Sequence, residues 1–446
     1  DAERMAIVAT GGFGRGLLAP GSDVDLLFLL PYKQTPWGES VAEYMLYLLW
    51  DLGLKVGHAT RTVEQCIKLA LSDFTILTGL LDQRLIHGDT GLFAELQSRF
   101  WAEAVTGAIA RQFVDAKMAE RDERHRRTGQ SRYLVEPNIK DGKGGLRDLH
   151  TLHWLAMYLH GEGPGKGLAS AGVFTPSEMA TYRRCESFLW SVRCHLHFLT
   201  GRPEERLTFD LQPTMAERLG YKSHSGLRGV ERFMKHYFLV AKDVGDLTTI
   251  LCSALEMQQL KSAPRFNQLL NPVTWVTRRR IRRTTDFRID NERLNVGDPE
   301  VFKRDPVNLV RFFAVAEETG SFFHPFAIRL LRSSLRLIDD DLRHNPEANR
   351  IFLGLLTSRN NPEDTLRRMN EAGVLGRFIP EFGRVVSMMQ FNMYHHYTVD
   401  EHLLRTVGQL AAIEEGQLAS TLPLSTEIIG SIQNRRALYV AAFLHD

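Results

Sequence analysis

The run Met5-Ala6-Ile7-Val8-Ala9 is apolar, short and stopped by Gly11-Gly12, which predicts a buried strand and a tight turn. Val24 to Leu30 predicts a second strand. Ser40-Val41-Ala42-Glu43 has the form of a capping box, and Val41, Met45, Leu48 and Leu49 fall on one face of the helix it would open. Thr62 and Gln65 repeat that start signal for another helix. Leu80 to Ile86 predicts a third strand, ending at the turn His87-Gly88-Asp89. From about residue 95 the pattern is helical, with two interruptions. One is the glycine-rich stretch Glu136 to Asp148, a loop between helical blocks. The other is residues 265–296, where Arg278 to Arg283 and then Phe287-Arg288-Ile289-Asp290 predict a hairpin. There is no fixed-period repeat. The fold class expected is α+β: a small mixed sheet, then largely α-helical domains.

At 446 residues the chain is too long for one ordinary core, and two to four domains are expected. An apolar share of 43% beside 24% charged residues excludes a largely disordered chain. The 55 Lys+Arg nearly cancel the 53 Asp+Glu, so no overall basic field points to nucleic acid. No apolar run approaches the roughly 18–20 residues of a membrane-spanning helix. The four cysteines form no CxxC pair, which predicts a reducing, cytoplasmic setting and no cysteine-based zinc site. The chain opens without an initiator Met or a signal peptide and stops at His445-Asp446, as a segment of a longer protein would.

Three places carry chemistry. The first is Gly11-Gly12-Phe13-Gly14-Arg15 followed by Ser22-Asp23-Val24-Asp25. Alternation along a strand puts Asp23 and Asp25 on one face and Val24 and Leu26 on the other. Two carboxylates so placed call for a cation, and oxygen ligands suit Mg²⁺ bridging to phosphates. Gly11 and Gly12 let the backbone approach a nucleotide, with Arg15 and Ser22 as further nucleotide contacts. A dinucleotide-binding fingerprint does not fit this glycine spacing. The second place is the loop EPNIKDGKGGLRDLH, which no Ser or Thr completes as a P-loop. In the third, Thr398 and Glu401 form a capping-box pattern that sets His402 in the first turn of a helix, and Ala437 to Leu444 delivers His445 and Asp446. His402, His445 and Asp446 are ligand types of a divalent-metal hydrolytic site. His195 and His197 are read as core or surface histidines, and Arg278 to Arg283 as a solvated or salt-bridged face.

Gly-Gly followed about ten residues later by Asp-x-Asp in a strand resembles the polymerase-β-type nucleotidyltransferases. The strings GGFGRGLLAPGSDVDLLFLL and EPNIKDGKGGLRDLH resemble one branch of them, the bifunctional uridylyltransferase/uridylyl-removing enzymes of the PII nitrogen-signalling protein. Residues 187–238 are similar to the helical domain of that branch, and YTVDEH with the terminal His-Asp to its HD domain. The resemblance implies a nucleotidyltransferase domain at 1–95 and a helical uridylyltransferase-associated domain at 96–265. A linker hairpin and helical region would follow at 266–390, then the N-terminal part of an all-α HD domain at 391–446, with the C-terminal ACT domains lacking. It implies Mg²⁺-dependent transfer of UMP from UTP to a PII tyrosine, with a third carboxylate joining Asp23 and Asp25 around two Mg²⁺ ions. Asp82 is chosen for that place; Asp73 and Asp89 are rivals in turn-like contexts. It implies hydrolytic removal of UMP at the HD site, incomplete here because the pattern needs a further Asp beyond 446, and glutamine as effector through the ACT region. Alternatives are a CCA-adding tRNA nucleotidyltransferase and an inactive nucleotide- or PII-binding module.

Overall fold

The computed structural model describes residues 4–32, 35–129, 131–161, 163, 167–170, 172–224, 226–262, 279–280, 285–290, 293–389 and 396–446. The chain divides into two compact units. The first comprises residues 1–132, 136–220 and 243–251; the second comprises 133–135, 221–242 and 252–446.

The first unit is built on a four-stranded mixed sheet of order β3-β2-β1-β4. Strands β1 (Ala6–Ala9) and β2 (Val24–Leu30) fall where the apolar runs predict them. Strand β1 is antiparallel to both β2 and β4 (Arg84–Gly88), and β2 runs parallel to β3 (Val56–Thr62). Val24, Leu26, Phe28 and Leu30 pack one face of β2 against Ala42 and Leu46 of helix α2 (Pro36–Asp51). The opposite face carries Asp25, Leu27 and Leu29, two apolar residues and one carboxylate.

Short helix α1 (Gly11–Gly14) follows β1. Helix α2 starts a turn earlier than its pattern suggests, because Thr35 caps Gly38 N at 3.1 Å and Pro36 has its φ preset for the first helical turn. Ser40 therefore lies inside the helix. The second expected start is as read: Thr62 and Gln65 close a reciprocal capping box on α3 (Val63–Ser72). The run Leu80–Ile86 is not one strand. Asp73 caps α4 (Phe74–Leu81), whose Leu77, Leu80 and Leu81 bury a helical face, and β4 begins only at Arg84. A short apolar run does not distinguish helix from strand, and the Asp73 cap decides for helix.

Helix α5 (Thr90–Arg99) and a π-helical turn at Phe100–Ala104 lead to α6 (Gly107–Arg127). The glycine-rich loop follows, then α7 (Leu146–His160), α8 (Gly167–Ser170) and α9 (Pro176–Thr200). The fold class is α+β, as expected.

In the second unit the hairpin is present. Strands β6 (Phe287–Asp290) and β7 (Arg293–Val296) pair antiparallel, flanked by β5 (Arg279–Arg280) and β8 (Phe322–Phe323). The side chains of the Arg278–Arg283 cluster lie outside the described residues. Helices Asn308–Thr319, Pro362–Ala372, Val399–Glu414 and Arg435–Phe443 share a core that includes Phe312, Phe313, Leu366, Met369, Leu404 and Phe443. Thr398 is the N-cap residue of Val399–Glu414, but the capping box does not form. The carboxylate of Glu401 goes to Arg367 and Arg405 instead. Among the described residues no helix is long and apolar enough to cross a membrane.

Candidate functional site

Asp25 is the one residue of β2 that is not fully buried. Its carboxylate lies between two glycines on neighbouring elements. Gly57 is its register partner in β3, and a Cβ there would come within 2.6 Å of Oδ1. Gly11 approaches Oδ2, where a Cβ would stand at 3.2 Å, and its φ of +55° favours glycine in any case. Thr10 N donates to the Asp25 carbonyl at 3.1 Å, fixing the turn to the strand. Asp23 is exposed, one residue ahead of β2. Burial raises the Asp25 carboxyl above the usual carboxylate range and the Asp23 charge raises it further, against an opposing pull from Lys140. No described residue donates a hydrogen bond to the Asp25 carboxylate. A half-buried carboxylate without a hydrogen-bond donor, beside a second one, fits a hard divalent cation.

The turn ahead of Asp23 is held by α9. Arg193, gripped through Nε by both oxygens of Glu205 at 3.0 Å, reaches Ser22 Oγ at 3.2 Å. Gly21 N donates to His197 Nδ1 at 3.1 Å. His197 is thus a buried core histidine, as read, and its Nε2 also stands 3.6 Å from a Glu205 oxygen. Ser22 keeps its place beside the aspartates, though its hydroxyl already accepts from Arg193.

Asp82 needs a correction. It terminates α4 at the C-cap and does not project from a strand. Its buried carboxylate accepts from Arg15, from His153 Nε2 at 2.9 Å and from Trp154 Nε1 at 2.9 Å. Nor does it close with Asp23 and Asp25 into a cluster of ligand atoms. Arg15 is correspondingly committed to Asp82, with its guanidinium over the Trp154 ring at 5.5 Å. The rivals Asp73 and Asp89 are the N-caps of α4 and α5.

Gly11, Gly12, Asp25 and Gly57 line a cavity of about 1000 Å³, whose other walls come from α4, α6 and the glycine-rich loop. Sequence reasoning missed Gly57, Lys117, Arg124 and Arg147 as lining residues. The loop's own sequence was the available signal for Arg147; nothing local marks Gly57. The loop folds on itself: Asn138 Oδ1 accepts from Lys140 N and Asp141 N at 3.1 and 2.6 Å. A Cβ on Gly142 or Gly145 would strike backbone carbonyls at 2.4 and 2.5 Å. Buried Asp148 ties the loop to α6, accepting from Gly144 N at 2.8 Å, His125 Nε2 at 2.9 Å and Arg124 at 2.5 Å.

In the second unit, His402, His445 and Asp446 come together, and among the described residues they are the one cluster of three or more metal-type ligands. The two Nε2 atoms stand 3.3 Å apart, and Asp446 Oδ2 is 3.7 Å from His402 Nε2. Two nitrogens bound to one ion at about 2.0–2.1 Å would lie roughly 2.9–3.4 Å apart, so the spacing fits. His445 Nδ1 donates to the Ala442 carbonyl at 2.9 Å, which leaves Nε2 as the ligand atom. His395 lies outside the described residues.

Comparison with known proteins follows the same order along the chain. Residues 112–252 match the family model described as GlnD PII-uridylyltransferase, and residues 287–378 that of the uridylyltransferase GlnD third domain. A bifunctional uridylyltransferase/uridylyl-removing enzyme of Rhodopseudomonas palustris is 59% identical over 451 residues, covering 100% of this chain and 48% of the relative. One of Nitrobacter hamburgensis is also 59% identical, and one of Bradyrhizobium sp. 58%, with the same coverage. The chain therefore spans about half the length of the curated relatives it matches. With both family models matched in order and a near-60% identity that runs its whole length, the chain belongs to the PII-uridylyltransferase (GlnD) family.

Proposed function

We propose that the protein transfers UMP from UTP to a tyrosine hydroxyl of a PII-type signal protein and removes it again by hydrolysis. The observation that carries the transfer is the Asp25 carboxylate without a hydrogen-bond donor, seated between Gly11 and Gly57 at the edge of a cation-lined cavity. Asp23 and Asp25 would hold Mg²⁺, which supplies charge stabilisation at the phosphates and favours loss of the hydroxyl proton. The chain's own residues do the positioning. Gly11 and Gly12 let the nucleotide approach, and Arg193 and His197 fix the turn that presents Asp23. Asp82, accepting from three donors, anchors Arg15. The tyrosine oxygen forms a bond to the α-phosphorus, the bond to the β-phosphate breaks, and pyrophosphate leaves with a proton released to solvent.

The His402, His445 and Asp446 cluster would hold a divalent ion for the removal, in which water adds to the phosphorus and the tyrosine oxygen departs. The same reading places glutamine control in the part of the relatives that this chain does not cover. The test is incubation of the full-length protein with each α-labelled nucleoside triphosphate, Mg²⁺ and either PII or tRNA. Label from UTP should enter PII, and Asp25→Asn should abolish it. Label entering tRNA would turn the assignment to a CCA-adding enzyme, and no transfer to either acceptor would leave a regulatory module.

A further inference from the structure

Among the described residues, six cationic side chains line the large cavity: Arg15, Arg61, Lys117, Arg124, Arg127 and Arg147. Four of them have a close carboxylate. Arg15 pairs with Asp82, Lys117 with Glu120 at 2.7 Å, Arg124 with Asp148 at 2.5 Å and Arg127 with Glu123 at 2.9 Å. Arg147 is held more loosely: its Nε donates to Asp141 Oδ1 at 3.5 Å, the longest of these ion pairs. Arg61 has no ion pair among the described residues, but it lies four residues along β3 from Gly57, about 13 Å beyond Asp25 at the strand rise.

Three of the six cations crowd one aromatic ring. Lys117, Arg15 and Arg147 stand 5.3, 5.5 and 5.7 Å from the centroid of Trp154, whose N–H is spent on Asp82. Like charges gathered on one indole repel each other, and burial makes the repulsion costlier. Burial lowers the pKa of Arg147, and the neighbouring charges of Arg124 and Arg15 act in the same direction against Asp141. A polyanion entering the cavity would relieve the repulsion. The backbone at the start of α7 cannot serve it, because Leu146 N and Arg147 N already donate to Ile139 and Lys140 carbonyls at 3.0 and 2.8 Å. The side chain is what remains.

We propose that Arg147, presented by the glycine-rich loop and stacked on Trp154, is the contact for the β- and γ-phosphates of the nucleotide, with Lys117 and Arg15 as its electrostatic support. The assignment rests on the nucleotidyl-transfer reading of Asp25. It also explains the loop, whose Asp148 ties and glycine packing hold one guanidinium at the place where pyrophosphate leaves.

The test uses pyrophosphate with Mg²⁺ as the probe, on the full-length protein, by calorimetry. Arg147→Met keeps the packing on Trp154 and removes the charge. Its pyrophosphate dissociation constant should rise at least about tenfold, while uridine binding changes by less than about twofold. Arg147→Lys should recover part of the loss, since a point charge replaces a fork. In the unmodified protein, pyrophosphate should shield Arg147 from an arginine-specific dicarbonyl reagent, read by peptide mass spectrometry, so the test survives a variant that folds poorly. Pyrophosphate affinity unchanged in Arg147→Met, or shielding of Arg61 in place of Arg147, would overturn the proposal. Neither result depends on transfer, so failure here is separable from an active Asp25→Asn, which would overturn the underlying reading.

Discussion

The two candidate metal sites of this chain are made in opposite ways. Asp25 is set by a sheet: strand register places it opposite Gly57, and the β1 turn brings Gly11 to its other side. Its donors are oxygen, its surroundings are half-buried, and its position follows from backbone hydrogen bonds. His402, His445 and Asp446 are set by helix ends, with side chains 41, 39 and 31% exposed. Their donors are two nitrogens and one oxygen, and a single Nδ1–H bond to Ala442 fixes the tautomer of His445. Hard oxygen ligands suit Mg²⁺; imidazoles suit a transition metal. The sheet carboxylate is defined by what is left out beside it, the histidine at a helix end by what it is tied to.

The comparison breaks most sharply at Asp25. Asp25→Asn should cut transfer at least about a hundredfold and leave removal of UMP unchanged in the full-length protein, measured with labelled UTP and with pre-modified PII. Equal loss of both activities would mean that the two clusters are not separate machines. His445→Ala should do the converse, lowering divalent-metal affinity and UMP removal at least about tenfold with transfer intact.

Gly57→Ala asks whether the empty space matters. The added Cβ would sit 2.6 Å from Asp25 Oδ1, so transfer should fall about tenfold or more with little change in thermal stability. An unaffected Gly57→Ala would show that the carboxylate can shift without cost. Asp82→Asn separates anchoring from ligation. As an anchor for Arg15, Asp82 should mainly set KM for UTP, by a few-fold; a collapse of kcat on the scale of Asp25→Asn would restore it as a metal ligand.

The smallest effect expected is on stability. Burial alone would raise the Asp148 carboxyl, but His125, Arg124 and Gly144 N outweigh it and hold it below the usual range. A carboxyl lowered on folding stabilises the protein above its unfolded pKa and loses that contribution as pH falls through the folded value. Tm should therefore drop by a few degrees below about pH 4, and Asp148→Asn should flatten that part of the profile. A wild-type profile identical to that of Asp148→Asn would show that the loop tie contributes no stability.

Much of the candidate site was legible because its signals are local. Gly-Gly after an apolar run, Asp-x-Asp at a strand start and a His-Asp pair after an apolar helix are each contained in a few residues. Asp82 was placed wrongly for the same reason. A run such as Leu80-Leu81-Asp82 says buried, and only the Asp73 cap and the packing of Leu77 decide that it is helical. Glu401 had the right spacing for a capping box, yet Arg367, 34 residues away, and Arg405, one turn along the same helix, offered it stronger partners. Arg15 looked free for substrate because Asp82 is 67 residues away.

By itself the sequence determined the strands β1 and β2, the loop at 136–148, the α+β class and the residues that could carry charge, since backbone propensity and side-chain periodicity act over one or two turns. The tertiary structure alone decided which charges are compensated. It set Gly57 against Asp25, spent Arg15 on Asp82, and left Arg147 facing the cavity with only a long 3.5 Å pair to Asp141, because Coulomb energy and burial depend on distance in space and not on separation along the chain.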